Sequence, residues 1–493
     1  MSCYTFRMTI VLYGMKLTII AGISLLLVVC TLPNISVAAT ENIFEISGWV
    51  PYWRSKTGVE NILPQIQLFT EVNPFFYTVT QDGMLYPNGS LTDAEWVMLK
   101  NKAKETGVRF IPTVTWANAD AMDAIFRDPD RRQEHIRSIA REVYAHNLDG
   151  IDIDYEGKYA HTRPYFSLFL EELNEAIGFD RWIMCTIEAR TPLDSRYETP
   201  EDIPADIEYA NDFSEINKHC ERVRIMAYDQ GRFDVKLNNA NKDPYVPVAD
   251  RAWVEKVMRL TALEIDKSKL VIGVPTYGYE YDMFSALDGS GEMEYSRLWS
   301  FNMGYATDTA AKLGLTPVRN SAGELLLTYP ASQSPDGVIP VPFATRVATW
   351  SDAEAVREKA ELAKELGVRG IAIFKIDGGQ DPLLRGVLEK FKEVKVSVSE
   401  PVVPQGGTPQ NITVVTFKRD LEYGTTGEDV KALQVYLNKN GFTVAVSGGG
   451  ASGNETQWFG PATQNALIRF QKAKNIKPSI GYFGPITRKF VGS

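Results

Sequence analysis

The chain has 493 residues, 44% hydrophobic and 23% charged, a balance that can bury a full core and excludes an intrinsically disordered protein. A formal net charge of −10 without any Lys/Arg block excludes the electrostatic footprint of a nucleic-acid binder. The length exceeds one typical domain, so two folded units behind a leader are expected.

Residues 1–39 read as a secretory signal peptide. Lys16 precedes an apolar run from Leu17 to Val29, and Ser36-Val37-Ala38 supplies a small-x-small cleavage site. The run is shorter than the ~20 apolar residues a membrane span needs, although the apolar stretch Met8 to Tyr13 leaves an uncleaved anchor as the alternative. A secreted or cell-wall-associated protein is expected. Removal of the leader takes Cys3 and Cys30 and leaves Cys185 and Cys220, whose default reading is two small buried hydrophobes. His135, His146, His161 and His219 fall in no HExxH or Cys/His pattern, so neither a metal nor another cofactor is expected.

Over 44–395, short apolar runs alternate with amphipathic helical stretches, the pattern of repeated βα units. Eight strands are predicted near Ile46–Tyr52, Val72–Thr78, Arg109–Thr115, Gly150–Tyr155, Trp182–Glu188, Arg222–Ala227, Leu270–Thr276 and Gly370–Lys375. Eight parallel strands predict an α/β fold, a closed (β/α)8 TIM barrel. After strand 7 an insert of roughly 65 residues, about 279–345, is too long for a plain βα loop. It is expected to form a small α+β subdomain on the catalytic face, walling one side of a cleft. Residues 396–416 are rich in Pro, Gly, Ser and Thr and read as a linker. Residues 417–493 form a second unit with a degenerate repeat, Phe459-Gly460-Pro461-Ala462-Thr463 and Phe483-Gly484-Pro485-Ile486-Thr487, each placing proline at the first turn of a helix.

The segment Asp149-Gly150-Ile151-Asp152-Ile153-Asp154-Tyr155-Glu156 falls on the fourth strand. Alternation puts Asp152, Asp154 and Glu156 on one face and Ile151, Ile153 and Tyr155 on the other. The apolar set is expected to meet the helices, leaving three acids pointing inward with Glu156 at the C-terminal mouth. Neighbouring acids ~6.6 Å apart repel by about 2.5 kcal/mol at an effective dielectric near 20. That is nearly two pKa units, enough to keep a proton on the row, as a general acid requires. The alternatives are a solvated strand face, which a barrel interior disfavours, and a hard-metal site, for which no flanking oxygen cluster is present.

The same segment resembles the DGxDxDxE signature of glycoside hydrolase family 18, the chitinase-like enzymes. The resemblance implies that Glu156 protonates the glycosidic oxygen, that Asp154 orients the substrate's N-acetyl group and that Asp152 supports Asp154. It also implies substrate assistance, in which the acetamido carbonyl attacks its own anomeric carbon and configuration is retained. Met226-Ala227-Tyr228-Asp229 resembles the family's MxYD motif, which assigns Tyr228 to the acetamido carbonyl and Asp229 to tuning the acid. Gly48 to Trp53 resembles the family's first strand and makes Tyr52 a candidate subsite aromatic. Trp116 and Trp350 are further candidates for sugar contact, against the alternative that both fill the core. Two departures stand out. Arg109 to Trp116 reads RFIPTVTW where the family has SxGG, leaving Thr113 in the serine's place, and Phe374 stands where the eighth strand carries tryptophan.

Residues 417–493 resemble the three-helix peptidoglycan-binding domain type 1, through Gly427-Glu428-Asp429-Val430, Leu433-Gln434, Gly441-Phe442, Phe459-Gly460, Phe470-Gln471 and Phe483-Gly484. The combination predicts a monomeric hydrolase of β-1,4-linked N-acetylglucosamine glycans, held to cell wall by its tail and acting on peptidoglycan. A chitinase and a catalytically inert carbohydrate-binding protein are the alternatives, the second weakened by the presence of Glu156.

Overall fold

The structure is a computed structural model that describes residues 41–397 and 417–491, apart from 179–180, 243, 287–291, 337–342, 394, 418, 423–424, 446–448, 475 and 477–480. The expected leader, 1–39, and most of the expected linker, 396–416, lie outside the described residues. Among the described residues no helix is long and apolar enough to cross a membrane.

Eight parallel strands close a barrel. They are Glu45–Pro51, Glu71–Val79, the broken third strand Arg109–Phe110 and Thr113–Trp116, Gly150–Tyr155, Trp182–Glu188, Arg222–Met226, Leu270–Pro275 and Gly370–Phe374. Each pairs with its sequence neighbour, and the eighth pairs back onto the first. The outward-facing set, including Ile151, Ile153, Tyr155, Ile183, Cys185, Ile187, Val223, Ile225, Ile371 and Ile373, is buried against the helices. These β-branched and aromatic residues suit a pleated strand packed on one side, which is why the strands form where they do. Asp caps begin several helices: Asp128 accepts from the backbone N–H of Asp130 and Arg131, and Asp352 from that of Ala355. Each such cap contributes about 1 kcal/mol.

The barrel's inner face is polar at its centre. At the N-terminal end Glu45 accepts from Arg222 (2.6 Å from Nε) and Arg369 (2.8 Å), tying the first, sixth and eighth strands. A short antiparallel pair, Glu41–Ile43 with Lys395–Ser397, joins the two ends of the barrel segment, so ordered pairing extends slightly beyond the 44–395 read from sequence.

The insert is wider than 279–345. Its first strand, Tyr277–Ser285, starts two residues after barrel strand 7 ends, and its last, Thr345–Trp350, leads straight to the next barrel helix, Ala353–Leu366. Five antiparallel strands, with Met293–Asn302, Val318–Arg319 and Leu325–Pro330, carry the helix Met303–Leu313. Only a single bent residue, Thr276, separates the barrel strand from the insert's first strand, so composition showed no break there.

The tail contains three described helices, Glu428–Lys439, Pro461–Ala473 and Pro485–Val491, around Leu421, Val430, Leu433, Leu437, Phe459, Leu467, Phe470 and Phe483. Its sequence repeat has a physical basis. Gln434 Nε2 donates to Thr463 Oγ1 (2.8 Å) and the Trp458 carbonyl (2.9 Å), and Gln471 Nε2 donates to Thr487 Oγ1 (2.9 Å) and the Tyr482 carbonyl (2.8 Å). Each copy thus pins an FGPxT turn to a buried glutamine amide.

Cys185, on the outer face of strand 5, is disulfide-bonded to Cys220, which follows the helix Phe213–His219; the Cα atoms are 6.0 Å apart. This corrects the reading of two separate buried thiols: the helix returns along the strand it left and brings the two side chains together. The cross-link spans 35 residues of sequence. Cys185→Ser or reduction is expected to cost about 2 to 4 kcal/mol, read as a lower urea midpoint.

Candidate active site

Asp152 lies fully buried in the barrel and accepts four hydrogen bonds from four other strands. They come from Trp49 Nε1 (3.0 Å), Thr113 Oγ1 (2.7 Å), Thr186 Oγ1 (2.8 Å) and Arg224 Nη1 (3.0 Å). The Arg224 guanidinium is equally buried, donates from Nη2 to Asn73 Oδ1 (2.8 Å) and lies 4.8 Å from the centre of the Trp49 ring. The row of acids is therefore not three free carboxylates: its lowest member is ion-paired. Thr113, in the place expected for a serine, supplies one of the four donors.

Asp154 has the opposite surroundings. It is 3% exposed and its Oδ1 is buried without a hydrogen-bond partner. Burial, then the charges of Glu156, Asp152 and Glu188, push its carboxyl well above the ordinary range, outweighing Lys158. Glu156 follows the strand and is half-buried. Its carboxyl is also raised, first by burial and then by Glu188 and Asp229, against Lys158. The pressure on Glu156 thus comes from the ends of strands 5 and 6, not chiefly from its own row as alternation alone implied.

Glu188 is held rigidly beside it. Its Oε1 accepts from the Gly157 N–H (2.8 Å), its Oε2 from Asn211 Nδ2 (2.7 Å), and the Lys158 ammonium is 4.0 Å away. Burial works against its charge, but Lys158 and these donors hold the carboxyl below its usual range. Gly157 turns the chain after Glu156 at φ +67°, a conformation that side chains with a Cβ rarely adopt. The turn directs the Lys158 ammonium to the Tyr155 carbonyl, 4.6 Å from the Phe166 ring.

Tyr228 and Asp229 follow the end of strand 6. The Tyr228 ring lies parallel to Phe374 (5.9 Å, 18°), and Phe374 meets Trp49, Phe75 and Tyr277 edge-on. Burial and the nearby acids, Asp154 first, keep the Tyr228 phenol protonated, hence a hydrogen-bond donor. Gly273 leaves room for the ring, since a Cβ there would stand 3.0 Å from it. Asp229 has φ +58°, and its Oδ1 accepts from the hydroxyls of Tyr277 (2.5 Å) and Tyr279 (2.9 Å), both on the insert's first strand.

Two cavities open at this mouth, of about 470 and 260 Å³. Glu156, Met226, Tyr228 and Asp229 line both, so Glu156 stands at their junction. Asp154, Phe374 and Trp53 line the larger one, whose far wall comes from Ser300, Phe301 and Asn302 of the insert. Glu188, Trp253, Phe233 and Arg196 line the smaller.

Of the residues singled out from sequence, Glu156, Asp154, Tyr228, Asp229 and Phe374 meet at the cavities, and Asp152 lies beneath them. Three aromatic candidates do not. Tyr52 is outside the cavity lining, edge-on to Trp53, which occupies the place expected for it. Trp116 is packed among Phe126, His135 and Tyr155 outside the barrel, because on its strand it faces the helices. Trp350 is fully buried in the insert against Phe301. Trp49, Trp53, Glu188 and Arg224 were missed. Alternation carries a signal for Glu188, which ends strand 5 much as Glu156 follows strand 4, whereas nothing local marks Arg224 as a partner for Asp152. Among the described residues no group of three or more His, Cys, Asp or Glu side chains is arranged to hold a metal ion.

Residues 48–379 match the model of glycosyl hydrolases family 18, and residues 426–491 match a peptidoglycan binding domain model. The glycosylase YvbX of Bacillus subtilis is 20% identical over 249 residues, covering 50% of this chain and 62% of its own length. The sporulation-specific glycosylase YdhD of the same organism is 25% identical over 201 residues, 40% of this chain and 44% of its own. The chain therefore spans less than two-thirds of the length of these curated relatives. The spore cortex-lytic enzyme SleL of Bacillus cereus superposes with a TM-score of 0.56 at 17% identity, covering 71% of this chain and 75% of that one, which shows a shared fold. With the family model spanning about two-thirds of the sequence, the chain belongs to glycosyl hydrolase family 18.

Proposed function

We propose that the protein is a retaining, substrate-assisted N-acetylglucosaminidase that hydrolyses the β-1,4 glycan strands of peptidoglycan outside the producing cell's membrane. The observation that carries this reading is the position of Glu156 at the junction of two cavities, with Asp154, Tyr228 and Phe374 gathered on the larger one. A sugar ring lies over Phe374, its acetamide between Asp154 and Tyr228, and the leaving sugar occupies the smaller cavity.

Glu156, its carboxyl raised by burial and by Glu188, gives its proton to the glycosidic oxygen as the bond to the anomeric carbon breaks. The acetamido oxygen closes onto that carbon, giving an oxazolinium-like ring. Tyr228 donates a hydrogen bond to this oxygen, and the unpartnered Oδ1 of Asp154 accepts the acetamide N–H. Glu156, now a carboxylate, takes a proton from water, which opens the ring from the face the leaving group vacated. Configuration is thereby retained. Asp152 and Arg224 act from below by fixing the strand that carries both acids.

Chitin presents the same 2-acetamido sugar, so these residues alone do not choose between the two polymers. The choice rests on the C-terminal unit, which matches a peptidoglycan binding model. The lysis enzymes among the structural neighbours are consistent with it, at the level of fold.

Glu156→Gln is expected to lower reducing-end release from purified sacculi by about 10² to 10⁴, and Tyr228→Phe by about tenfold. After borohydride reduction the new ends should be N-acetylglucosaminitol; muramitol ends, or turnover of colloidal chitin alone, would defeat the assignment. Because the Glu188 charge raises the Glu156 carboxyl, Glu188→Gln removes an anion that favours the proton. The alkaline limb of kcat/KM should then move to lower pH, and an unmoved limb would show that Glu188 does not tune the acid.

A further inference from the structure

The larger cavity includes a charged wall, absent from the lining of the smaller one, that the chemistry above does not use. Arg54 directly follows the half-exposed Trp53, and Lys375 directly follows Phe374; both line the cavity. Between them lies the Asp377 carboxylate, with 1% of its side chain exposed. Arg54 Nε donates to the Asp377 carbonyl (3.2 Å) and is 3.6 Å from its Oδ2. Lys375 is ion-paired with the same oxygen and donates to Asn302 Oδ1 (2.9 Å). Asn302, on the insert, donates from Nδ2 to Asp377 Oδ2 (3.0 Å), and the Gly379 N–H donates to Oδ1 (2.9 Å).

Two cations thus share one carboxylate that already has two neutral donors. One cation would suffice for a purely structural tie. The wall keeps an excess positive charge, and the Arg54 side chain is 46% exposed, with its terminal nitrogens making no hydrogen bond to the described residues. A guanidinium presented in this way suits a carboxylate. Neutral chitin offers none. In peptidoglycan the sugars alternate, so both neighbours of a reacting N-acetylglucosamine carry an O3-lactyl arm that ends in a carboxylate or in a stem peptide bearing carboxylates.

Resting on the peptidoglycan reading above, we propose that Arg54 and Lys375 form an anion-reading subsite. It recognises the carboxylate on the O3 arm of the sugar on the non-reducing side of the cleaved residue, while Trp53 offers that sugar a ring face. The pair then discriminates peptidoglycan from chitin within the catalytic cleft, independently of the tail.

The test uses the full chain and three substrates of matched length: peptide-stripped glycan strands, the same strands with every carboxylate converted to a methylamide, and peptide-bearing strands. At low salt, wild-type kcat/KM should favour the stripped strands over their methylamides by about tenfold, a preference that shrinks as salt rises. The ratio should fall towards one in Arg54→Gln and in Lys375→Met, and Arg54→Lys should keep most of it. A ratio within one protein is unaffected by how much of a variant folds. If only the peptide-bearing strands outrun the methylamides, the recognised anion is the peptide's. A wild-type ratio near one for both anionic substrates, or a ratio that both variants retain, would overturn the inference while leaving the peptidoglycan reading standing. Cleavage of chitooligosaccharides with none of the three muramyl substrates cleaved would overturn that reading and this one with it.

Discussion

The buried pair of Asp152 and Arg224 is the interaction on which the rest of the site depends. Taking two charges out of water into a barrel core is unfavourable unless every lone pair and proton finds a partner, and breaking such a pair from one side typically costs about 3 to 5 kcal/mol. Here the carboxylate is satisfied by donors from the first, third, fifth and sixth strands, and the guanidinium reaches the second through Asn73. The pair therefore sets the position of strand 4 from five directions. Asp154 and Glu156 inherit that precision because they are the next two residues on the same face.

The two acids above Asp152 lie in unlike surroundings. Asp154, buried and without a partner for Oδ1, has its carboxyl pushed well above the ordinary range by burial and then by Glu156 and Asp152. Glu156, half-buried, has its carboxyl raised first by burial and then by a second set of anions that is itself anchored, Glu188 by the Gly157 N–H and Asn211, and Asp229 by two tyrosines of the insert. Unlike environments of this kind set neighbouring carboxyls apart. The insert is thus more than a wall: through Tyr277, Tyr279 and Asn302 it holds Asp229 on one side of the larger cavity and Asp377 on the other.

Substitutions at the margins of the family's pattern have local compensation. Thr113 supplies the hydroxyl that the missing SxGG serine would offer to Asp152. Phe374 stacks on Tyr228 and is braced by Trp49, Phe75 and Tyr277, so an apolar floor persists without tryptophan, although the indole N–H is lost. In the tail the two copies of the FGPxT repeat are tied by the same glutamine-to-threonine geometry, which explains why the short motif recurs while the intervening sequence does not.

The sequence by itself determined what depends on periodicity and short spacing. Alternation located eight barrel strands to within one residue at each end and put Asp152, Asp154 and Glu156 on one face. It also carried the signals for the insert, the linker composition and the repeat. Tertiary structure alone decided what depends on residues distant in the chain. Arg224 meets Asp152 across 72 positions, Lys375 meets Asn302 across 73, and the Cys185–Cys220 bond forms because a helix returns along its strand. It likewise separated aromatics that composition could not, putting Trp116 and Trp350 into cores and Trp53 into the cleft in place of Tyr52. The reason is geometric. A strand's own sequence sets which side chains share a face, but barrel closure and loop packing set what those faces meet.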